Sequence, residues 1–198
     1  MTDLVMIRHA PTAWNAEKRL QGHTDIPLTP ESEAMVRQWS IPGKFSDFDW
    51  LTSPLSRAAR TAELLYGRPV PVDERLSEMR YGDWEGEVLP DLRARLGEEM
   101  QDNEDKGLDF LPPGGESPRM VQDRLASLLQ EIAERERSTV VVTHFGVIRA
   151  IFAKAVDWPM LGKPPVKILQ ARAHHFRLDP DGFPRVESMN IPLGPIDV

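Results

Sequence analysis

The sequence has no cysteine among its 198 residues, which excludes disulfide bonds and thiolate metal sites. It also lacks an apolar stretch of the roughly 20 residues that a membrane-spanning helix needs, and no basic segment followed by an apolar one opens the chain. Positive charge is scarce, with 24 Lys and Arg against 31 Asp and Glu, which argues against a non-specific nucleic-acid surface. We therefore expect a cytoplasmic protein with no membrane and no nucleic acid among its partners.

The remaining composition is that of an ordinary globular protein. Hydrophobic residues make up 40% of the chain and charged residues 28%. A chain of this length suits one domain with a sizeable core, so we predict a single domain over residues 1–198. Because the formal net charge is -7, any basic site must be local.

Strand and helix patterns alternate along the chain. A continuous apolar run predicts a buried strand at residues 3–8. Residues 48–53 are a second strand candidate, and residues 138–143 are the clearest strand in the sequence. Helical patterns occupy most of the segments between and after them. This alternation predicts a three-layer α/β/α sandwich with a mostly parallel central sheet.

Helix boundaries and minor strands follow from local residues. Ser/Thr-Pro pairs predict N-caps at Thr29, Ser53 and Ser117, each with proline at the first helical position. Gly67 should end the second of these helices. The proline-rich residues 69–74 and the weakly alternating tail from Lys167 predict edge strands.

Four cationic or titratable side chains follow the predicted strands. Arg8 and His9 end the first strand, and His144 follows the strand at 138–143. Arg57 comes shortly after the strand at 48–53. Sites in parallel sheets form beyond the carboxyl ends of the strands, so we expect these groups to converge. Arginine matches phosphate or carboxylate oxygens, and histidine can act as a nucleophile near neutral pH.

A phosphoryl-transfer site also needs a proton for the leaving oxygen. The segment LSEMRYGDWEG supplies two carboxylic acids, Glu78 and Glu85. The residues themselves do not decide whether Glu78 or Glu85 would be the acid.

Four motifs carry a resemblance to a known family. IRHAPTAWN, SPLSRAARTA, LSEMRYGDWEG and VVTHFGVIRA occur in the order and approximate spacing of the histidine phosphatase (phosphoglycerate mutase-like) superfamily. The resemblance extends to about Ala150. It implies a phosphoglycerate mutase-like fold and a site that needs neither metal nor another cofactor.

The resemblance also implies roles for individual residues. His9 would become a phosphohistidine, Arg8, Arg57 and His144 would complete the phosphate pocket, and Glu78 would be the acid. Four further residues would lie near the phosphate or the substrate: Asn15, Gln21, Gly22 and Phe145. For His9 to attack, its other ring nitrogen should donate to a fixed acceptor, for which we expect a backbone carbonyl.

The function implied is a metal-independent phosphomonoesterase that acts on a small phosphorylated metabolite. RLQGHTDIPLT resembles the phosphatase branch, and both α-ribazole phosphatases and broad-specificity phosphatases fit this chain length. One alternative is phosphoryl transfer of the phosphoglycerate mutase type, and another is a non-catalytic phospholigand-binding protein. The sequence is compatible with a homodimer but does not decide the oligomeric state.

Three features are left open by the sequence. Ala10 replaces the glycine usual after Arg-His in the family, and a positive φ there would be costly. PPGGES could cradle an anion or could be a loop with Ser117 as N-cap. His174 and His175 are expected to be structural or exposed.

Overall fold

The computed structural model describes residues 1–194, and its strands form one five-stranded sheet. The strands are β1 (Thr2–Arg8), β2 (Asp49–Thr52), β3 (Thr139–Thr143), β4 (Arg172–Leu178) and β5 (Pro184–Pro192). The α-helices are α1 (Ala13–Ala16), α2 (Pro30–Val36), α3 (Ser56–Tyr66), α4 (Leu89–Leu96), α5 (Glu98–Glu104), α6 (Pro118–Glu134) and α7 (Phe145–Ala155). Within residues 1–194, every helix is too short or too polar to cross a lipid bilayer.

The sheet has the order β2-β3-β1-β4-β5. Strands β2, β3 and β1 are parallel, and β4 and β5 continue the sheet in antiparallel pairing. Arg8 at the end of β1 lies opposite Thr143 at the end of β3, so the residues that follow the two strands meet at one edge.

Alternating side chains of β1 face two different helical layers. Leu4 and Met6 pack in a cluster with residues of α6 and α7. Val5 and Ile7 pack on the other face, in a cluster with Ala58 of α3. The predicted three-layer α/β/α fold with parallel strands at its centre is therefore confirmed.

Several predicted boundaries are also confirmed. Thr29 and Ser117 cap α2 and α6 by accepting hydrogen bonds from backbone N–H groups in the first turn. Gly67 ends α3 in the left-handed conformation, with φ of 82°.

The N-cap predicted at Ser53 is wrong. Helix α3 begins at Ser56, with Leu55 in the capping position. The backbone N–H of Ser56 donates instead to the carboxylate of Asp25, at 2.9 Å. The hydroxyl of Ser53 is consequently available to the site described below.

The predicted edge strands are only partly correct. Strand β4 lies inside the sheet between β1 and β5, because its buried residues pair on both sides. Of the two strands in the tail, only β5 lies at an edge of the sheet; the other edge is β2. Residues 69–74 form a single bridge, between Val72 and Thr52, since prolines cannot donate to a continuous ladder.

Candidate active site

The carboxyl ends of β1 and β3 bring two histidines together. The backbone N–H of His9 donates to the carbonyl of Thr143 at 2.9 Å, which fixes the two strand ends. The ring centroids of His9 and His144 are 5.1 Å apart. Both side chains are buried. Arg8 precedes His9, and Arg57 reaches the same region from the first turn of α3.

The imidazole of His9 is held in one tautomer. Its Nδ1 lies 2.7 Å from the carbonyl oxygen of Ala10, which confirms the expected backbone acceptor. Because a carbonyl oxygen only accepts, Nδ1 carries the proton and Nε2 has a free lone pair. Burial, and then the charges of Arg8 and Arg57, hold the pKa of His9 well below its usual value. His9 is therefore neutral near pH 7.

Arg57 is a fully buried guanidinium held by two loop carbonyls. Nη2 donates to the carbonyl of Gly22 at 2.7 Å, and Nη1 donates to that of Thr24 at 3.0 Å. Its Nε is buried and has no acceptor within residues 1–194. Burial lowers the pKa of Arg57, although an arginine is still charged at neutral pH. The loop at residues 22–24 thus fixes the charged guanidinium of Arg57, and its Nε–H stays available to donate.

Arg8 lies over an aromatic ring. Its guanidinium carbon is 5.2 Å from the ring centroid of Phe145, the first residue of α7. The Nε of Arg8 is buried and likewise lacks an acceptor in the described part of the chain. Burial lowers the pKa of Arg8, and the nearby Glu78 opposes that effect. Arg8 and Arg57 together give a local positive region in an acidic protein.

The imidazole of His144 contacts the hydroxyl of Ser53. Its Nε2 lies 2.7 Å from Ser53 Oγ, which already accepts the N–H of Leu55 at 3.3 Å. The hydroxyl can donate its own proton to Nε2, and in that arrangement Nδ1 is the N–H donor. That Nδ1 is buried and has no partner among the described residues. Burial, followed by the repulsion that a protonated His9 would exert and by the charges of Arg57 and Arg8, holds the pKa of His144 well below its usual value.

The structure separates the two candidate acids. Glu78 is 7% exposed and its carboxylate accepts the N–H of Met79 at 2.8 Å and that of Gly146 at 3.4 Å. It therefore lies against the first turn of α7, beside His144. Burial raises the pKa of Glu78, despite the two backbone donors and the charges of Arg57 and Arg8. A carboxyl group with a raised pKa retains its proton more readily at neutral pH.

Glu85 is engaged in holding a loop. Its carboxylate accepts the backbone N–H groups of His23, Thr24 and Tyr81 and the hydroxyl of Thr24, at distances of 2.5 to 3.3 Å. Although burial acts to raise its pKa, these hydrogen bonds outweigh it and the pKa of Glu85 is lowered. Glu85 is thus a carboxylate with a structural task.

The other predicted binding residues lie in α1, in the loop held by Glu85 or just before it, and in the first turn of α7. Asn15 Oδ1 accepts the N–H of Thr12 at 2.9 Å, and Thr12 Oγ1 donates to Gln21 Oε1 at 3.0 Å. Gly22 has a φ of +55°, and an added Cβ would lie 2.1 Å from Glu85 Oε1. No larger residue fits there without moving the Glu85 carboxylate. Phe145 lies beneath Arg8, as described above.

Sequence reasoning missed the residues that orient the others. Arg124 of α6 donates to the carbonyls of Ser77 and Glu78, at 2.7 and 3.2 Å. His23 Nε2 also contacts the Glu78 carbonyl, at 2.8 Å. Nothing in the helical pattern of α6 distinguishes Arg124 from a solvent-facing charge. Ser53 had a visible indication, since it directly follows a strand, but capping is the commoner use of serine before proline.

The features left open by the sequence have structural answers. Ala10 is buried, avoids positive φ and donates its N–H to Thr61 Oγ1 at 3.0 Å, so the strain expected there is absent. In PPGGES, Gly115 and Glu116 donate to protein carbonyls and Ser117 caps α6, which favours the loop interpretation.

His174 and His175 are buried in β4, and His175 lies 2.9 Å from Asp3. These histidines were expected to be either structural or exposed, and their burial agrees with a structural role. They lie on the strand beside β1 rather than among the groups that converge on His9.

The arrangement combines a lone pair, fixed cations and an acid in one place. His9 Nε2 carries a lone pair that can act as a nucleophile, and the two arginines with His144 offer donors suited to an oxyanion. Within residues 1–194, no three His, Asp or Glu side chains cluster as metal ligands would. Such a site can form a covalent bond from nitrogen to phosphorus while the donors hold the remaining oxygens.

Comparisons with known proteins agree with this chemistry. Residues 4–192 match the model of the histidine phosphatase superfamily (branch 1). The glucosyl-3-phosphoglycerate phosphatase of Mycolicibacterium vanbaalenii is 33% identical over 197 residues, covering 90% of this chain and 87% of that protein. The 2,3-bisphosphoglycerate-dependent phosphoglycerate mutase 2 of Gloeobacter violaceus is 33% identical over 166 residues, covering 76% and 74%.

A solved structure extends the similarity to three dimensions. The mycobacterial glucosyl-3-phosphoglycerate phosphatase in complex with VO3 superposes with a TM-score of 0.77, at 27% identity, over 96% of this chain and all of that one. Similarity of sequence and of fold extends over nearly the whole chain. The chain therefore belongs to the histidine phosphatase superfamily.

Proposed function

We propose that this protein is a metal-independent phosphomonoesterase that hydrolyses a small phosphorylated metabolite through a phosphohistidine on His9. The observation that carries the proposal is the hydrogen bond from His9 Nδ1 to the Ala10 carbonyl, at 2.7 Å. It leaves Nε2 unprotonated and fixes its direction. The lowered pKa of His9 keeps that lone pair available near neutral pH.

The phosphate is bound by donors that have no other acceptor. Arg8 Nε, Arg57 Nε and His144 Nδ1 are buried and unpaired within residues 1–194. Each would donate to a non-bridging phosphate oxygen and stabilise the charge that accumulates there in the transition state. Asn15, Gln21, Gly22 and Phe145 complete the surroundings of the phosphate.

The reaction proceeds in two displacements. His9 Nε2 attacks phosphorus, the bond from phosphorus to the ester oxygen breaks, and Glu78 gives its proton to the departing alcohol. Water then attacks the phosphohistidine while the Glu78 carboxylate takes a proton from it. The nitrogen–phosphorus bond breaks, and inorganic phosphate leaves with His9 and Glu78 restored. The raised pKa of Glu78 suits both directions of this proton transfer.

The test is hydrolysis of a chromogenic phosphomonoester in the presence of a chelator. Wild type should release phosphate, and His9→Ala should lose at least about a thousandfold in rate. His175→Gln changes a histidine in β4 and should stay within about twofold. Equal inactivity of wild type and His9→Ala over a broad pH range would contradict the proposal and favour a phospholigand-binding protein.

The intermediate gives a second readout of the same proposal. Labelled phosphate should be trapped on His9 in a form that acid destroys and base preserves. Label found on a serine or an aspartate would overturn the mechanism.

The mutase alternative shares the first displacement and differs in the acceptor. Similarity to a phosphoglycerate mutase favours keeping it in the experiment. Supplying 3-phosphoglycerate with 2,3-bisphosphoglycerate separates the two: a mutase forms 2-phosphoglycerate, whereas a phosphatase releases phosphate. The same plate can hold α-ribazole phosphate and a panel of common phosphomonoesters, which tests whether the specificity is narrow or broad.

A further inference from the structure

A cavity of about 380 Å³ opens beside the phosphate pocket. It begins at Met79, Phe145 and Gly146, which adjoin Glu78 and His144. It continues between α4, α5 and the loops at residues 107–110 and 160–162. Its volume lies within the usual range for small-molecule sites. A substrate with its phosphate at His9 would place its leaving group here.

Arg149 is the unpaired cation of this cavity. It lies on α7 one turn beyond Phe145, which is about 6 Å along the axis because a helix rises 1.5 Å per residue. Arg149 is half-buried and lines the cavity. Within residues 1–194, no carboxylate oxygen lies within 4.0 Å of its guanidinium, and it makes no hydrogen bond. Burial without a partner lowers the pKa of Arg149.

A buried tryptophan holds the guanidinium in position. The guanidinium carbon of Arg149 lies 5.0 Å from the ring centroid of Trp158. Trp158 is itself fixed, since its Nε1 donates to the carbonyl of Leu161 at 3.0 Å. The contact orients Arg149 but satisfies none of its N–H donors. Arg149 is therefore a positioned cation without an anion.

The other charges at the cavity already have partners. Arg93 forms a pair with Glu104 at 2.7 Å. Asp105 accepts a hydrogen bond from Gln101 at 2.8 Å. Most of the remaining wall is apolar, including Leu20, Leu89, Phe110 and Leu161. Among the charged groups that line the cavity, Arg149 is the one left to recognise a ligand.

We propose that Arg149 determines specificity by binding a carboxylate on the leaving group, so that the substrate is a phosphorylated hydroxy acid. The inference rests on the proposed phosphatase function and names its substrate class. A guanidinium fork matches the two oxygens of a carboxylate. Phe145, which contacts Arg8, and Arg149 are separated by one helical turn. This separation suits an acid in which few carbon atoms lie between the phosphoester and the carboxylate. The apolar wall would accept further parts of a larger acid.

The experiment compares two substrates that differ mainly in the carboxylate. 3-Phosphoglycerate carries it, and glycerol 3-phosphate has a hydroxymethyl group in its place. Wild type should prefer 3-phosphoglycerate, and Arg149→Gln should lower the ratio of the two kcat/KM values roughly 10- to 100-fold, mainly through KM. Arg149→Lys keeps the charge but not the paired N–H donors of the guanidinium, so its ratio should lie between those of wild type and Arg149→Gln. Lys154→Gln removes a cation from the same helix outside the cavity and should leave the ratio unchanged.

Two results would overturn the proposal. One is a wild-type enzyme with no preference for the carboxylated substrate. The other is a ratio that Arg149→Gln leaves unaltered, or that Lys154→Gln alters as much. Loss of both substrates in equal measure would indicate a structural role for Arg149.

Binding separates this proposal from the failure of the phosphatase proposal. Calorimetric titration of the His9→Ala variant needs no turnover. It should bind 3-phosphoglycerate more tightly than glycerol 3-phosphate, and adding Arg149→Gln should abolish the difference. If wild type hydrolyses no phosphomonoester but this difference is seen, the catalytic proposal fails and the carboxylate site stands. If the difference is absent, the carboxylate site fails whatever the activity.

Discussion

The phosphate pocket and the neighbouring cavity are built in different ways. The pocket takes Arg8, His9 and His144 from the ends of central parallel strands, and His9 and His144 are buried while Arg8 is half-buried. The cavity is enclosed by short helices and by loops outside the main sheet. Strand ends in a packed sheet have little freedom, whereas loops tolerate variation. For the proposed function, the fold would thus fix the chemistry, and the loops around the cavity would determine the choice of substrate.

The largest expected effect comes from breaking the pocket at Arg57. Arg57→Met removes a buried charge and leaves the carbonyls of Gly22 and Thr24 without their donors. We expect kcat/KM to fall by about a thousandfold or more for every substrate, because phosphoryl transfer depends on such cations. Steady-state kinetics with a carboxylated and an uncarboxylated phosphomonoester measure it.

Arg60 provides the matched control for that variant. It lies one turn further along α3 and forms partly exposed pairs with Glu33 and Glu63. Arg60→Met should change kcat/KM by less than about threefold, since exposed ion pairs contribute little. Comparable losses from both variants would mean that Arg57 acts through the stability of α3 rather than through the phosphate.

A pair of glycines tests the cavity in isolation. Gly107 and Gly162 both line it and both have positive φ, at +57° and +66°. A Cβ on Gly107 would lie 2.2 Å from the carbonyl oxygen of Pro159, whereas one on Gly162 would contact nothing within 4 Å. Gly162→Ala should cost about 1–2 kcal/mol of unfolding free energy from backbone strain. Gly107→Ala should cost about 1–3 kcal/mol more, because the two loops must separate.

Denaturant unfolding measures these stabilities, and kinetics show where the damage lies. Gly107→Ala should impair discrimination between 3-phosphoglycerate and glycerol 3-phosphate more than it impairs turnover of the latter. Equal loss on both substrates would show that the pocket and the cavity are not independent.

Glu78 lies where the pocket and the cavity meet. Substituting it should give the smallest of these effects, and the effect is on the free energy of unfolding. Its pKa is raised in the folded protein, so the native state holds this proton more tightly than the unfolded chain does. That contribution is complete below the unfolded pKa, near 4.5, and is lost as pH rises through the folded pKa. Glu78→Gln removes the cost of a buried carboxylate at neutral pH. We expect a gain of about 0.5–2 kcal/mol at pH 8 and none near pH 4.

Thermal unfolding of the two proteins across this pH range measures the difference. A gain of 1 kcal/mol corresponds to about 2–4 °C for a chain of this size. The histidines His9 and His144, whose lowered pKa values reduce stability below about pH 6.5, are present in both proteins and cancel. A gain that is equal at all pH values would show that the raised pKa of Glu78 is not its cause.

The difference between the pocket at the strand ends and the cavity between the loops also determines what the sequence could predict. The convergence of Arg8, His9, Arg57 and His144 follows from strand ends in a parallel sheet, and local periodicity identifies those strands. Choosing between Glu78 and Glu85 from the residues alone was not feasible, because it depends on which carboxylate the backbone of residues 23 and 24 engages. That pairing joins segments about 60 positions apart in the chain.

Long-range contacts also explain the wrong boundary at Ser53. Its sequence context favours an N-cap, but Asp25, from a distant loop, caps the helix instead. The position of β4 inside the sheet was equally hidden, since its polar residues suggest an edge. Arg149 stands in an amphipathic helix pattern like many surface arginines. Only the loops that surround it make it an unpaired group in a cavity.

The three buried nitrogen atoms of the phosphate pocket have a consequence for how the reaction ends. Arg8 Nε, Arg57 Nε and His144 Nδ1 lack acceptors within residues 1–194, and unmet buried donors are costly. Inorganic phosphate, the product of the proposed reaction, would offer oxygens to the same donors as the substrate does. Release of phosphate would therefore break hydrogen bonds to the same groups that stabilise the transition state of the proposed reaction. If the proposed phosphatase function holds, product inhibition is expected of such a pocket, and the phosphate concentration would set how much enzyme is free to bind substrate.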